Sequence, residues 1–265
     1  MMDRKTNLNS NNSSSPTYLD IQAEVGITKH YGGYAASEKL YQLCHLDAAN
    51  EVLEVGCGIG IGPVHITKLY NCHVMAVDIS KKMLEWANKR AHQAGLAQSI
   101  TFKQANILNL PFDDESFDGV IVESVLAFID DKEKALQEVL RVTKPGKYIG
   151  VNESFWRDMI PIEVTDKSIY TTVDIAMESE LKQLWEQMPL EDKTIQTCSL
   201  NTKQELKDRL KWIGWRWLLS AWGRAIKLIL TRKDARKAIR QQMDVPDDVA
   251  ENYGYGLYVG RKMKD

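Results

Sequence analysis

The residues with the clearest chemical potential lie between positions 52 and 78. The stretch Val52-Leu53-Glu54-Val55-Gly56-Cys57-Gly58-Ile59-Gly60 sets an apolar run, broken by one acid, before glycines at every second position. Glycine is needed where a backbone turns tightly and approaches a ligand, because a Cβ would block the approach. A helix pattern follows, and the free N–H groups at its start point back at whatever the loop holds. Asp78 stands about 20 residues beyond Gly56, the spacing that brings a carboxylate to a ribose diol. Together these residues describe a nucleotide-type pocket at the carboxyl end of a first strand.

The elements that must position them read as alternating strands and helices from residue 50, the pattern of parallel α/β structure. Strands are expected at 51–55, at 73–77 running into Asp78, and at 100–104, 117–123 and 148–153. Helices are expected at 60–70, from an N-cap at Ser80 with Met83, Leu84 and Ala87 inward, and at 132–142. Lys144-Pro145-Gly146 should stop the last of these and turn the chain. Tyr18–Val25 reads as a short helix, about 37–46 as an amphipathic one, and Tyr253–Lys262 as a final strand. Residues 1–16 are polar and low in complexity, which predicts a disordered tail ahead of one domain over 17–265. After Glu153 the alternation stops. Residues 154–200, with a helix near 174–187, read as an inserted lid over the strand ends.

The totals exclude several classes. The chain has 265 residues, a net charge of −2 and 44% hydrophobic residues, ordinary for a globular protein with no global pull towards nucleic acid. Four scattered cysteines without a CxxC pair fit a reducing compartment. With no signal-peptide order and no run long enough to span a bilayer, a cytoplasmic setting is expected. No HExxH, CxxC or clustered carboxylates call for a metal.

The glycine loop departs from the G-x-G-x-x-G dinucleotide fingerprint, since proline occupies position 63. Four blocks in register carry a different likeness: Val52–Gly60; Val77-Asp78-Ile79-Ser80 with Met83; Ala105-Asn106-Ile107-Leu108-Asn109-Leu110-Pro111-Phe112 followed by Ser116-Phe117-Asp118; and Arg141-Val142-Thr143-Lys144-Pro145-Gly146. In these the chain resembles the class I methyltransferases that use S-adenosylmethionine (SAM), of the type 11 kind. The resemblance implies a doubly wound, Rossmann-like α/β fold. Its seven-stranded sheet would be mostly parallel with an antiparallel last strand, and a helical lid would be inserted. It implies an enzyme that moves a methyl group from SAM to a small-molecule acceptor. Glu54, Gly56, Gly58 and Gly60 would surround the methionine part. Asp78 would take the ribose hydroxyls, Ile79 and Met83 would lie against the adenine, Asn106 would meet its amino edge and Ile107 its face. Asparagine stands at 106 where the family usually has aspartate, and Lys147 replaces a usual glycine.

A sulfonium methyl is already activated, so such a site must mainly align a nucleophile and exclude water. A base is needed only for a nucleophile that carries its proton tightly. Glu123, ending the fourth strand, would point at the transferred methyl as a base or cation binder, or serve as a hydrogen-bonded structural acid. Glu153 shares that ambiguity. His30 as a base and Tyr31 as a cofactor contact lie in a loop that resembles the family's cover over SAM, whereas His65 and His73 read as structural.

Residues 203–243 form a divergent basic segment. Positions 203–240 hold 12 Lys or Arg against 3 Asp or Glu, and Trp212, Trp215, Trp217 and Trp222 lie within it. An amphipathic helix touching an anionic membrane would look so. The favoured reading is a helix that packs its aromatic face on the sheet and solvates its charges. Nucleic acid is not expected, since the fourth strand ends Glu123-Ser124-Val125-Leu126 and lacks the N/D-P-P-aromatic tetrad of base methylation. The competing reading is a SAM-binding protein of the same fold with a regulatory or scaffold role and no catalysis; a nicotinamide dehydrogenase ranks below it.

Overall fold

The computed structural model describes residues 18–28, 30–157, 173–199, 210–211, 213–233 and 252–264, with 207 and 236 singly. Its frame is a seven-stranded sheet with strands β1 (Glu51–Val55), β2 (His73–Asp78), β3 (Ile100–Gln104), β4 (Phe117–Glu123), β5 (Thr143–Trp156), β6 (Leu190–Ser199) and β7 (Tyr253–Lys262). The spatial order is β3-β2-β1-β4-β5-β7-β6. Neighbours from β3 to β5 pair in parallel, and β7 runs antiparallel to both β5 and β6. The order reverses at β1, so the crevice between the β1 and β4 ends is the topological switch point where such sheets take ligands.

Alternation along each strand sorts the core into two layers. Val52, Val74, Ala76 and Ile121 face helices α2 (Gly33–Leu43), α3 (Ile61–Tyr70) and α4 (Lys81–Gln93). Leu53, Val55, Val120, Val122 and Val151 face α5 (Lys132–Val142) and α6 (Glu178–Gln187). The helices begin where their caps dictate. Ser80 accepts Met83 N–H at 3.3 Å and Asp131 accepts Lys134 N–H at 2.9 Å, each satisfying one orphan donor. α1 (Tyr18–Val25) and α7 (Trp215–Thr231) pack on each other outside the helical layer, through Ile21, Val25, Ala221 and Leu228.

Much of the family signature is structural. Arg141 donates to the Phe112 and Leu110 carbonyls and pairs with Asp114 and Glu138, so it clamps the Leu110-Pro111-Phe112 turn to α5. Asp118 takes Lys144 at 2.9 Å and Lys147 at 3.3 Å, giving the lysine that replaces the usual glycine a partner.

Three expectations need correction. The Lys144-Pro145-Gly146 segment lies inside β5, which starts at Thr143 instead of Tyr148 and ends at Trp156 instead of Glu153. It forms an irregularity in the β4–β5 register, with Gly146 at φ 73°, so the proline needs no ladder donor. The segment expected as a lid over 154–200 supplies the last residues of β5, then α6, and then all of β6, the edge strand. The helix expected near 174–187 starts at Glu178. Residues 1–16, the middle of that segment, and most of the helix expected at 201–213 lie outside the described residues.

Candidate functional site

The glycine loop is held by its neighbours before any ligand is considered. Gly56 N–H and Cys57 N–H both donate to Val77 O, at 2.8 and 3.0 Å, which ties the β1 turn to the end of β2. Gly56, Gly58 and Gly60 have φ of 77°, 51° and 78°, a region that side chains rarely enter. Their close approaches differ. A Cβ on Gly60 would stand 2.7 Å from Ala87 Cα, so this glycine lets α3 start against α4. A Cβ on Gly58 would meet Thr28 Oγ1 at 3.0 Å, where the loop after α1 lies over it.

Asp78 is fixed by two amides. Its Oδ2 accepts Gly58 N–H at 2.9 Å and its Oδ1 accepts Ser80 N–H at 2.8 Å. Burial pushes its carboxyl up and the two amides pull it back. Each oxygen keeps a lone pair for a further donor. Beside it Ile79 is exposed, a bare apolar side chain next to an oriented acid. Met83 is buried with Ala23, Ile59, Ile61 and Ile213, Ile107 is buried in the main core, and Asn106 is exposed with its Oδ1 accepting Leu108 N–H at 3.0 Å.

Glu54 faces the α2–α3 layer and is buried. Its Oε2 has no hydrogen-bond partner among the described residues. Burial pushes its carboxyl well above the usual carboxylate range, and the negative charges of Glu123 and then Asp78 push it further. A buried acid with an unsatisfied oxygen, whose strongest charged neighbours are other acids, is a place for a cation that donates hydrogen bonds.

Glu123 is different. Ser37 Oγ donates to its Oε2 at 3.0 Å, Tyr41 OH to its Oε1 at 2.8 Å, and Asn152 Nδ2 reaches Oε2 at 3.3 Å. His30 Nε2 lies 2.9 Å from Ser37 Oγ and 3.3 Å from Glu123 Oε2. Because Ser37 spends its proton on Glu123, its oxygen accepts from His30, which puts the proton of the neutral ring on Nε2. Tyr31 joins through its carbonyl, which accepts Asn152 Nδ2 at 3.1 Å, and its ring meets Tyr253 at 5.2 Å. The structure therefore brings Glu123, His30 and Tyr31 together. Ser37, Tyr41 and Asn152 were not legible as site residues. Asn152 could have been found from register, since it pairs with Glu123 across β4 and β5.

Glu153 resolves as a structural acid: it is buried, accepting Leu126 N–H at 2.6 Å and Ser154 N–H at 3.0 Å, which fastens the turn after β4. His65 and His73 pair with Glu38 and Glu51. Among the described residues no group of three or more His, Cys, Asp or Glu is arranged to hold a metal, and no helix is long and apolar enough to cross a membrane.

A strand-end glycine loop, an acid oriented by two amides and a buried acid with an unsatisfied oxygen meet at one switch point. Residues 53–151 match the family described as a methyltransferase domain. Over that stretch the chain is similar to SAM-dependent methyltransferases. An uncharacterised methyltransferase of Bacillus subtilis, YodH, is 37% identical over 148 residues, 55% of this chain and 62% of that one. The norajmaline N-methyltransferase of Rauvolfia serpentina is 27% identical over 203 residues, 71% and 70% of the two chains. The solved phosphoethanolamine N-methyltransferase 2 of Haemonchus contortus holds phosphomonomethylethanolamine and S-adenosylhomocysteine. It superposes with a TM-score of 0.70 at 16% identity over 94% of this chain and 58% of that one, a likeness of fold. The chain spans about half the length of the first curated relatives it matches, 51% and 46%.

Proposed function

We propose that this chain transfers a methyl group from SAM to a small, apolar or lipid-like acceptor. The observation that carries the reading is Glu54: a buried acid beside the glycine loop with one unsatisfied oxygen, whose charged neighbours are Glu123 and Asp78. An ammonium and a sulfonium relieve that charge, whereas the pyrophosphate of a dinucleotide would add to it. When bound, SAM supplies a methyl group already activated by its sulfonium.

The chain's own residues then have separable tasks. Glu54 Oε2 would accept from the ammonium of SAM. Asp78, fixed by two amides, would offer its remaining lone pairs to the ribose hydroxyls. Exposed Ile79 gives the base an apolar bed, with Asn106 at its edge, while Met83 and Ile107 support that bed from the core. Gly56 and Gly58 let the backbone come close. Glu123 is held in one orientation by Ser37 and Tyr41. The His30–Ser37–Glu123 chain can take a proton from an acceptor N–H or O–H through groups already in hydrogen-bond contact.

For the acceptor, Tyr31, Trp156 and Tyr253 with Ile175, Met177 and Tyr255 form an aromatic, apolar group at the ends of β5 and β7 beside Glu123. That apolar cluster favours an apolar molecule, and the relative named norajmaline N-methyltransferase favours a small one. Calorimetric titration with SAM and with NAD tests the cofactor: SAM binds and NAD does not, and absence of SAM binding overturns the reading. Incubation with radiolabelled SAM and a fractionated extract tests the rest. Label should enter the organic-soluble small-molecule fraction, and a chain that binds SAM without passing on label would be a binder only.

A further inference from the structure

The outer face of α7 carries an apolar stripe that nothing in the methyl-transfer reading uses. Trp215, Leu219, Trp222, Ile226 and Leu230 recur at helical steps, and each is more than half exposed. At 100° and 1.5 Å per residue they fall within about 80° of arc and run for about 22 Å. Exposed large apolar side chains such as Leu69, Ile79 and Met263 stand singly, which is ordinary. A continuous stripe is not.

The opposite face of α7 is already committed to the protein. Trp217 Nε1 donates to Gly26 O and Arg224 Nε to Val25 O, both at 2.6 Å. Arg232 pairs with Glu24, while Ala221, Ala225 and Leu228 pack on Ile21 and Val25. The helix thus straps α1 and its following loop, and Trp215 and Trp222 point away from the body. This corrects the expectation that the aromatic face would pack on the sheet.

Charge decides what covers the stripe. The α7 sequence has Arg216, Arg224 and Lys227 and no acid. Arg224 and Arg232 are used inward, but Arg216 and Lys227 are exposed on one flank of the stripe, with Lys211 and Lys233 exposed beyond its two ends. A second copy laid antiparallel, stripe to stripe, would bring these cations against one another. An anionic surface would not. A stripe this narrow on a helix of 17 residues suits a helix lying in an interface, with tryptophans at headgroup depth and cations above.

We propose that α7 docks this chain on an anionic lipid bilayer, lying in the interfacial plane with Trp215, Leu219, Trp222, Ile226 and Leu230 inserted. The test is co-sedimentation of the full chain with vesicles of phosphatidylcholine alone and with one-third phosphatidylglycerol, read together with tryptophan emission. Binding should be at least about tenfold stronger on anionic vesicles, weaken with salt, and shift the emission to the blue. Leu219→Glu with Trp222→Glu should abolish it. Arg216→Gln and Lys227→Gln should each cost roughly fivefold. SAM titration of every variant reports whether it is folded. Equal binding to both vesicle types, or none, overturns the proposal. So does a dimer in sedimentation that Trp222→Glu converts to monomer. A chain that binds no SAM yet pellets with anionic vesicles would sink the catalytic reading and leave this one standing.

Discussion

Two acids near the ends of adjacent strands are treated in opposite ways. Glu54 on β1 is buried with an oxygen unsatisfied and its charged neighbours hostile. Glu123 on the adjacent β4 is surrounded by Ser37, Tyr41, Asn152 and His30, each within hydrogen-bond reach. Protein groups complete the second and leave the first open. An unsatisfied buried carboxylate costs stability and persists where a ligand completes it. A saturated one is a scaffold that holds other groups in place. On the proposed function, the β1–β2 side would take the cofactor's charge and the β4–β5 side would orient what reacts with it.

The contrast is broken most forcefully at the amide-fixed acid. Asp78→Ala removes the acceptor of Gly58 N–H and Ser80 N–H together with any ribose contact. SAM affinity should fall on the order of a thousandfold by calorimetry, since charge-assisted hydrogen bonds are worth about 1.5–3 kcal/mol each. If affinity holds, the β1–β2 side is not the cofactor site. Next comes Glu123. Its replacement by Gln keeps a partner for Ser37 and Tyr41, so transfer should slow about a hundredfold with SAM affinity within roughly threefold. An equal loss of affinity would erase the division of labour. Glu123→Ala should instead cost about 2–4 kcal/mol of stability in chemical denaturation, because it strands two buried hydroxyls.

Gly60→Ala sharpens the structural side of the same comparison. Its Cβ would meet Ala87 backbone at 2.7 Å with φ at 78°, so a stability loss of about 2–4 kcal/mol is expected. The smallest effect concerns pH. Burial holds Glu54 above the usual carboxylate range when folded, so the folded state binds its proton more tightly than the unfolded one. Stability then declines as pH rises from the ordinary carboxylate range through the folded value. SAM affinity moves the other way, rising about tenfold over that interval because the cation favours the ionised acid. Glu54→Gln should flatten both profiles. A native profile already flat would mean that Glu54 has found another partner.

Strands β1 to β4 and β7 were legible because each is a short stretch rich in apolar or β-branched residues between glycine, proline or acidic turns. β6 was not, since Leu190-Glu191-Asp192-Lys193-Thr194-Ile195-Gln196-Thr197-Cys198-Ser199 is an edge strand with little to bury on its outer side. Lys144-Pro145-Gly146 misled for a related reason: the same residues end a helix or seat a bulge, and only pairing with β4 distinguishes them. At the site, Glu54, Asp78 and the glycines could be named from spacing. The partners of Glu123 could not, because Ser37 and Tyr41 lie more than 80 positions away and carry no pattern of their own.

Local order thus determined the α/β class, the nucleotide-type loop, its acid and the basic tryptophan segment, since each depends on short-range periodicity or on a backbone that only glycine can follow. Tertiary structure decided which acid stays open and which is saturated, that His30 and Tyr31 meet Glu123, and which face of α7 is turned to solvent. Those outcomes depend on which elements become neighbours. A charge or an apolar stripe has the same sequence signature whether the fold covers it or leaves it exposed.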